Sequence, residues 1–157
     1  MKYLKITTPD VNNGEGCRVT LWIPGCNHKC PGCHNEWAQS YFIGQEFTSK
    51  TYDTLIKELS KPYIAGLTLS GGDPLFQTDD TLMNLYDLIS AIREDVPGKT
   101  IWLYTGFVYE DLDGWKKRVA DKCDVVVDGP FIESEKDITL PFRGSKNQRI
   151  LHIPVNK

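Results

Sequence analysis

The sequence lacks several features that would place it in other protein classes. No apolar run is long enough to span a bilayer, and Met1–Lys5 has no secretion-signal core. Positive charge is not in excess, since the formal net charge is −3, and this argues against broad binding to nucleic acid or anionic membrane. No repeat, low-complexity tract or linker interrupts the chain. We therefore expect one cytoplasmic domain over residues 1–157.

Cysteine is scarce and unevenly distributed. There are five cysteines, an odd number that fits a disulfide framework poorly, and a reducing cytoplasm favours metal-binding or redox cysteines. Three of them, Cys26, Cys30 and Cys33, form a C-x3-C-x2-C pattern among proline and glycine residues that disfavour regular structure. Soft thiolate ligands select zinc, copper(I) or an iron–sulfur cluster. The pattern predicts a loop that wraps around a metal site.

The rest of the sequence alternates strand-like and helix-like segments. Apolar and β-branched runs predict strands, and helical stripes predict helices between them. This order is typical of an α/β fold with a mostly parallel sheet. A complete (β/α)8 barrel takes about 250 residues, whereas this chain has 157. We therefore expect an open partial (β/α) barrel. The predicted strands are 3–6, 17–23, 64–69, 100–104, 123–127 and 149–153. Three helices are predicted: the first begins near 48–49, the second covers 79–94 and the third covers 111–122.

Polar or glycine-rich segments directly follow four predicted strands. They are the cysteine loop, Gly71–Pro74, Thr105–Gly106 and Asp128–Pro130. Because the carboxyl ends of parallel strands meet at one edge of a sheet, these segments are expected to form one site.

Three thiolates leave the predicted metal site incomplete. A structural zinc ion takes four protein ligands, and a ferredoxin-type cluster takes four cysteines. Three thiolates on a four-iron cluster would leave one iron open to a substrate or cofactor. The alternative is a zinc ion bound by the cysteines and His28 or His34.

The cysteine spacing resembles that of the radical S-adenosylmethionine (radical SAM) superfamily. Gly71-Gly72-Asp73-Pro74 is similar to that family's Gly-Gly-Glu-Pro element, with aspartate in place of the longer glutamate. The resemblance implies a radical-SAM-like fold and a [4Fe-4S] cluster whose open iron chelates S-adenosylmethionine. It also implies that the reduced cluster cleaves this cofactor to methionine and a 5′-deoxyadenosyl radical.

Further motifs resemble one branch of the glycyl-radical-enzyme activases, the activases of anaerobic ribonucleoside-triphosphate reductase. This branch implies abstraction of hydrogen from a glycine of the large reductase subunit, with the electron supplied by an external donor. The alternatives are an activase of another glycyl-radical enzyme, such as a formate-lyase type, and a zinc-binding interaction module. The motifs are Asp10–Arg18, Cys30–Asn35, Tyr104–Gly106, Asp128–Phe131 and Arg143–Arg149.

The resemblance also assigns site residues. It makes Cys26, Cys30 and Cys33 the cluster ligands, and it places Gly32, Cys33 and His34 near the adenine. In the superfamily the residue before the third cysteine is commonly aromatic, whereas this chain has Gly32. No catalytic residue is expected beyond the cluster and the cofactor. The other expected cofactor-binding residues at the methionine end of the cofactor are Gly71, Gly72, Asp73 and Pro74. Thr105 and Asp128 are expected near the carboxylate or the ribose hydroxyls of the cofactor.

Several residues have a structural interpretation, alone or beside a functional one. Thr105 and Asp128 each precede a glycine, a pairing that is also common in turns. Arg143, Lys146 and Arg149 could dock a partner, pair with the cofactor's carboxylate or belong to a solvated loop. Arg18 is interpreted as a member of a structural ion pair, and Cys17 and Cys123 as small buried apolar residues.

Overall fold

The strands and helices follow the predicted alternation closely. The computed structural model describes residues 1–154. Short 3-10 turns occur at Glu36–Ala38, Tyr109–Asp111 and Glu133–Glu135. The other elements are β1 (Lys2–Tyr3), β2 (Lys5–Asp10), β3 (Cys17–Ile23), β4 (Gln45–Glu46), α1 (Ser49–Leu59), β5 (Ile64–Gly71), α2 (Asp79–Asp95), β6 (Thr100–Tyr104), α3 (Gly114–Asp121), β7 (Val125–Asp128) and β8 (Arg149–His152).

A six-stranded sheet in the order β2-β3-β5-β6-β7-β8 forms the centre of the fold. The four inner strands are parallel, and β2 and β8 pair antiparallel at the two edges. Strands β1 and β4 form a separate antiparallel pair. The prediction of an α/β fold with a mostly parallel sheet is confirmed. Within residues 1–154 the strand pairing does not close into a barrel.

The two faces of the sheet are covered differently. Alternate residues of a strand point to opposite faces, and Ile101 and Leu103 of β6 join the large core that contains the buried residues of the three helices. Trp102, on the other face, belongs to a smaller cluster with Val125 and Val127. Phe142, from the segment after β7, packs edge-on against Trp102. Within residues 1–154, this smaller cluster contains no residue of a helix, and the segment after β7 packs on it through Phe142.

Several boundaries differ from the predictions. The first predicted strand is two strands, β1 and β2, and the longer one extends to Asp10. Helix α3 begins at Gly114 because Asp111 lies in a 3-10 turn. Cys123 precedes β7 and is fully buried, as expected, whereas Cys17 is only partly buried. No helix among residues 1–154 is long and apolar enough to cross a membrane.

The interpretation of Arg18 as an ion-pair member is wrong. Its guanidinium is buried, and its five hydrogen bonds all go to uncharged oxygens. It also lies 5.5 Å from the ring centroid of Trp102. Burial lowers the pKa of Arg18 to about 10, because the charged form loses hydration. The contacts join Arg18 to β5 and β6 through Thr68, Leu67 and Thr100.

Candidate functional site

The carboxyl ends of the parallel strands open onto one cavity of about 520 Å³. That volume lies within the range of cavities that bind small molecules and cofactors. The shared edge predicted from the strand pattern therefore exists. Of the residues predicted for the site, seven line the cavity: Cys26, Cys30, Cys33, His34, Gly72, Asp73 and Thr105. Gly32, Gly71, Pro74 and Asp128 are outside the set that lines it.

The cysteine loop is anchored at its base by backbone hydrogen bonds. Gly25 N donates to Ala38 O at 2.8 Å, and Cys26 N donates to Gln39 O at 3.0 Å. Within the loop, Lys29 has a φ of +54°, a conformation that is uncommon for a residue with a side chain. These features fix a compact, non-repetitive backbone, and the three cysteine thiols remain partly exposed on it.

The donor set of this loop fits an iron–sulfur cluster. The five cysteines of the chain are free thiols, and burial raises the pKa of Cys26 to about 11, so binding a positive metal centre would be needed to hold it as a thiolate. Among residues 1–154, no three His, Cys, Asp or Glu side chains are gathered to hold a single metal ion. A four-iron cluster does not require such convergence, because each thiolate binds a different iron.

His28 is already engaged with another side chain. Its Nε2 lies 2.6 Å from Oδ2 of Asp73, and its ring packs edge-on against Phe76 and Phe107, with centroids 4.8 and 4.6 Å away. His34 packs edge-on against Phe131 at 5.1 Å. These contacts argue against the zinc alternative in which His28 is the fourth ligand.

Asp73 joins three loops of the site. Its carboxylate is buried; Oδ1 accepts a hydrogen bond from Leu75 N at 2.9 Å. Oδ2 accepts from Thr105 Oγ1 at 3.0 Å and from Gly106 N at 2.8 Å, in addition to the His28 contact. The cysteine loop, the β5 end and the β6 end thus meet at one carboxylate. Sequence reasoning treated His28 only as a possible zinc ligand, and no sequence signal pairs it with Asp73.

The contacts of Thr105 and Asp128 favour their turn roles. The Thr105 hydroxyl donates to Asp73 and accepts from Phe107 N at 3.2 Å. Both carboxylate oxygens of Asp128 bind the Arg149 guanidinium, and Oδ2 also accepts from Tyr109 N at 2.8 Å. Arg149 therefore holds β8 against β7.

Gly71 and Gly72 allow the β5 end to approach the cysteine loop. Gly71 has a φ of +120°, and a Cβ on Gly72 would lie 2.5 Å from Gly25 O and 2.7 Å from Ala38 O. Both atoms are backbone, so they cannot rotate away. Asp73 N donates to Gly25 O at 2.8 Å. The close approach that glycine permits places this turn directly against the residue before Cys26.

We expect Gly72→Ala to displace the cysteine loop. Overpacking of this kind costs about 1–3 kcal/mol, and the moved thiols should incorporate less iron. The measurement is iron and sulfide content after anaerobic reconstitution, together with urea unfolding. Gly98→Ala is the control: its φ is +89°, and nothing lies within 4 Å of its Cβ position, so it should lose stability but keep its iron. Full iron content in Gly72→Ala would contradict the prediction.

Phe131 lies beside the position where the superfamily commonly has an aromatic residue. A Cβ on Gly32 would be 3.4 Å from Cε1 of Phe131, and Phe131 lines the cavity with His34. Gly32 has a φ of +75°, and its Cβ position lies 3.1 Å from Cδ of Glu133 as well. Sequence reasoning named Phe131 only as part of a motif; its position against Gly32 comes from tertiary contacts.

Comparisons with known proteins agree with this site. The family described as a 4Fe-4S single cluster domain matches residues 12–151. The anaerobic ribonucleoside-triphosphate reductase-activating protein of Escherichia coli (strain K12) is 39% identical over 155 residues, covering 98% of this chain and 99% of that protein. The protein of the same name from Enterobacteria phage T4 is 42% identical over 153 residues, covering 96% and 93%. The one from Haemophilus influenzae is 38% identical over 154 residues, covering 97% of each.

Proposed function

Because the chain belongs to the family of anaerobic ribonucleoside-triphosphate reductase-activating proteins, we propose that it generates a glycyl radical on the large subunit of that reductase. It is an iron–sulfur enzyme, a radical SAM oxidoreductase of the activase class. The observation that carries this proposal is the cavity whose lining brings the three cysteines together with Gly72 and Asp73 of the turn after β5.

The cofactors are a [4Fe-4S] cluster and S-adenosyl-L-methionine. The chemistry they supply when bound is one-electron reductive cleavage of the sulfonium, followed by removal of a hydrogen atom from a glycine. The residues of the chain hold and orient these groups: Cys26, Cys30 and Cys33 would ligate the cluster, as their soft donor atoms suit iron–sulfur binding.

The other site residues would position the cofactor. The backbone of Gly71–Pro74 suits the methionine end, because a glycine turn lets a ligand approach closely. Asp73 would act mainly by holding this turn, Thr105 and His28 in place, since its carboxylate already accepts four hydrogen bonds. The rings of His34 and Phe131 offer an aromatic edge for the adenine. In this proposal, Thr105 and Asp128 support the site through its turns.

The scaffold would be an open partial barrel of the radical-SAM type, formed as one domain over residues 1–157. An open cavity suits a macromolecular substrate that covers the site on docking and excludes water from the radical. Besides the three cluster ligands, the chain has only Cys17 and Cys123, too few for a second four-cysteine cluster, so an external one-electron donor is required. Five free thiols suit a reducing cytoplasm; neither nucleic acid nor membrane is part of the proposal.

The first test is anaerobic reconstitution with iron and sulfide, dithionite reduction, and low-temperature EPR with and without S-adenosylmethionine. We expect a reduced-cluster signal whose shape changes when the cofactor is added, because one iron should be open to it. No cluster, or a cluster signal that the cofactor leaves unchanged, would overturn the proposal. A colourless protein with one bound zinc would instead support the interaction-module alternative.

A second measurement identifies the partner. The enzyme is reduced with dithionite in the presence of S-adenosylmethionine and then incubated separately with the anaerobic reductase and with a formate-lyase-type enzyme. We expect a glycyl-radical EPR signal on the reductase. A signal on the lyase and none on the reductase would assign this chain to the other activase class.

A further inference from the structure

His28 anchors the segment between the first two cysteines of the loop, Cys26 and Cys30. Its Nε2 lies 2.6 Å from Oδ2 of Asp73, and because a carboxylate only accepts hydrogen bonds, Nε2 is the donor. Its neighbours Asn27 and Lys29 are exposed. His28 is therefore the residue through which this segment is packed against the rest of the protein.

The ring of His28 is enclosed on several sides. The rings of Phe76 and Phe107 pack edge-on against it, and these two rings also contact each other, with centroids 5.2 Å apart. A Cβ on Gly106 would lie 2.7 Å from Cδ2 of His28, so the backbone after β6 also approaches the ring closely. The side chain is only 17% exposed. These contacts and the hydrogen bond to Asp73 together hold the ring in one position.

The backbone of the same residue contacts a cysteine sulfur. His28 N donates to Cys26 Sγ at 3.5 Å. The next residue, Lys29, has a φ of +54°, and an uncommon conformation of this kind persists only where surrounding contacts enforce it. The enclosed ring of His28 provides such contacts one residue earlier in the chain. The side chain of His28 thus helps to keep its own N–H directed at Cys26.

A hydrogen bond to a ligand sulfur changes how easily an iron–sulfur cluster is reduced. Hydrogen bonds to the sulfurs are among the factors that set the reduction potential of a cluster. Reduction adds negative charge, and an N–H donor stabilises the more negative state of the group that it contacts. A donor on Cys26 should therefore raise the potential. In the proposed function, this matters because the cluster takes its electron from an external donor.

We infer that His28 is a positioning residue that raises the reduction potential of the cluster. Its ring, held by Asp73 and the two phenylalanines, keeps its backbone N–H on the Cys26 sulfur. In the step concerned, one electron passes from the external donor to the oxidised cluster, the donor is oxidised, and no bond forms or breaks. The inference rests on the proposed function and adds to it a residue that controls entry of the electron.

The test is an EPR-monitored redox titration of the reconstituted protein at one pH, without S-adenosylmethionine. The potential is measured on the clusters that have formed, so a variant that only incorporates less iron keeps the wild-type value. His28→Phe keeps an aromatic ring between Phe76 and Phe107 but has no Nε2 for Asp73. Its potential should be more negative, with the reduction equilibrium weakened about tenfold, or about 59 mV for one electron. His28→Gln, whose Nε2 is the same number of bonds from Cα, should fall between.

Asn27→Ala is the matched control. Asn27 lies beside His28, is exposed and is outside the cavity lining, so its loss should leave the potential at the wild-type value. A wild-type potential in His28→Phe, even with less iron, would show a merely structural role and overturn the inference. An equal shift in Asn27→Ala would also overturn it, because any change in the segment would then have the same effect. If His28→Phe binds no cluster, His28→Gln decides between the same outcomes. A wild-type protein without a reducible cluster would instead reject the proposed function itself.

Discussion

Cys30→Ala is expected to abolish reductive cleavage of S-adenosylmethionine. Cys30 is the middle cysteine of the loop and lines the cavity with the other two. Losing one of three thiolates leaves a second iron without a protein ligand, so the cluster should be lost or reconstituted in another form. Removing an outer-shell partner of a metal site costs about 10- to 100-fold in metal affinity or activity, and losing a direct ligand should exceed that range. The measurement is 5′-deoxyadenosine formed per protein after dithionite reduction.

Cys17→Ala serves as the control for Cys30→Ala. Cys17 begins β3 and is a free, partly buried thiol outside the cavity lining. Its loss should leave both the iron content and the cleavage near the wild-type values. Cleavage retained in Cys30→Ala at a rate similar to that of Cys17→Ala would exclude the three-cysteine cluster.

Asp73→Ala is expected to lower the free energy of unfolding by about 3–5 kcal/mol. The substitution leaves the backbone N–H groups of Leu75 and Gly106 and the Thr105 hydroxyl without their acceptor. A stranded buried donor costs about 1–3 kcal/mol, and His28 also loses its partner. Because His28 belongs to the cysteine loop, cleavage of S-adenosylmethionine should fall together with stability. Urea unfolding and the same cleavage assay measure the two effects.

Two further variants separate the hydrogen bonds of Asp73 from general effects of the substitution. Asp73→Asn keeps the side-chain volume but turns an amide N–H₂ group toward the hydrogen-bond donors that surround Asp73. It should therefore also be less stable than the wild type. This variant can still be measured if Asp73→Ala does not fold. Asp87→Ala removes an exposed carboxylate from α2 and should change stability by no more than about 0.5 kcal/mol. Wild-type stability in both Asp73 variants would show that the four hydrogen bonds contribute nothing.

Much of the fold could be predicted from local patterns. The strands Cys17–Ile23 and Thr100–Tyr104 are at their predicted positions, and α1 is capped by Thr48, one of the two expected residues. These elements are predictable because apolar periodicity and capping chemistry act over a few neighbouring residues. The boundary at Asp111 was wrong because a 3-10 turn and α3 are adjacent there.

The partners of polar side chains could not be predicted in the same way. Arg18 donates to Thr100, 82 positions away, and His28 contacts Asp73, 45 positions away. Nothing in the local sequence distinguishes a guanidinium that binds carbonyl oxygens from one that binds a carboxylate. Hydrogen-bond partners are selected by proximity and burial, and both follow from how the strands pack.

The sequence by itself determined the chemistry available to this protein: three closely spaced soft ligands, a glycine turn after a strand and an order of elements that brings them to one edge. Only the tertiary structure decided how that edge is built. It placed Asp73 under the cysteine loop, Phe131 beside Gly32, and Arg143 at the cavity, where its Nη1 donates to Gln148 O. The physical reason is that ligand identity and backbone propensity are local properties, whereas burial and the pairing of charges depend on residues that are distant in the chain.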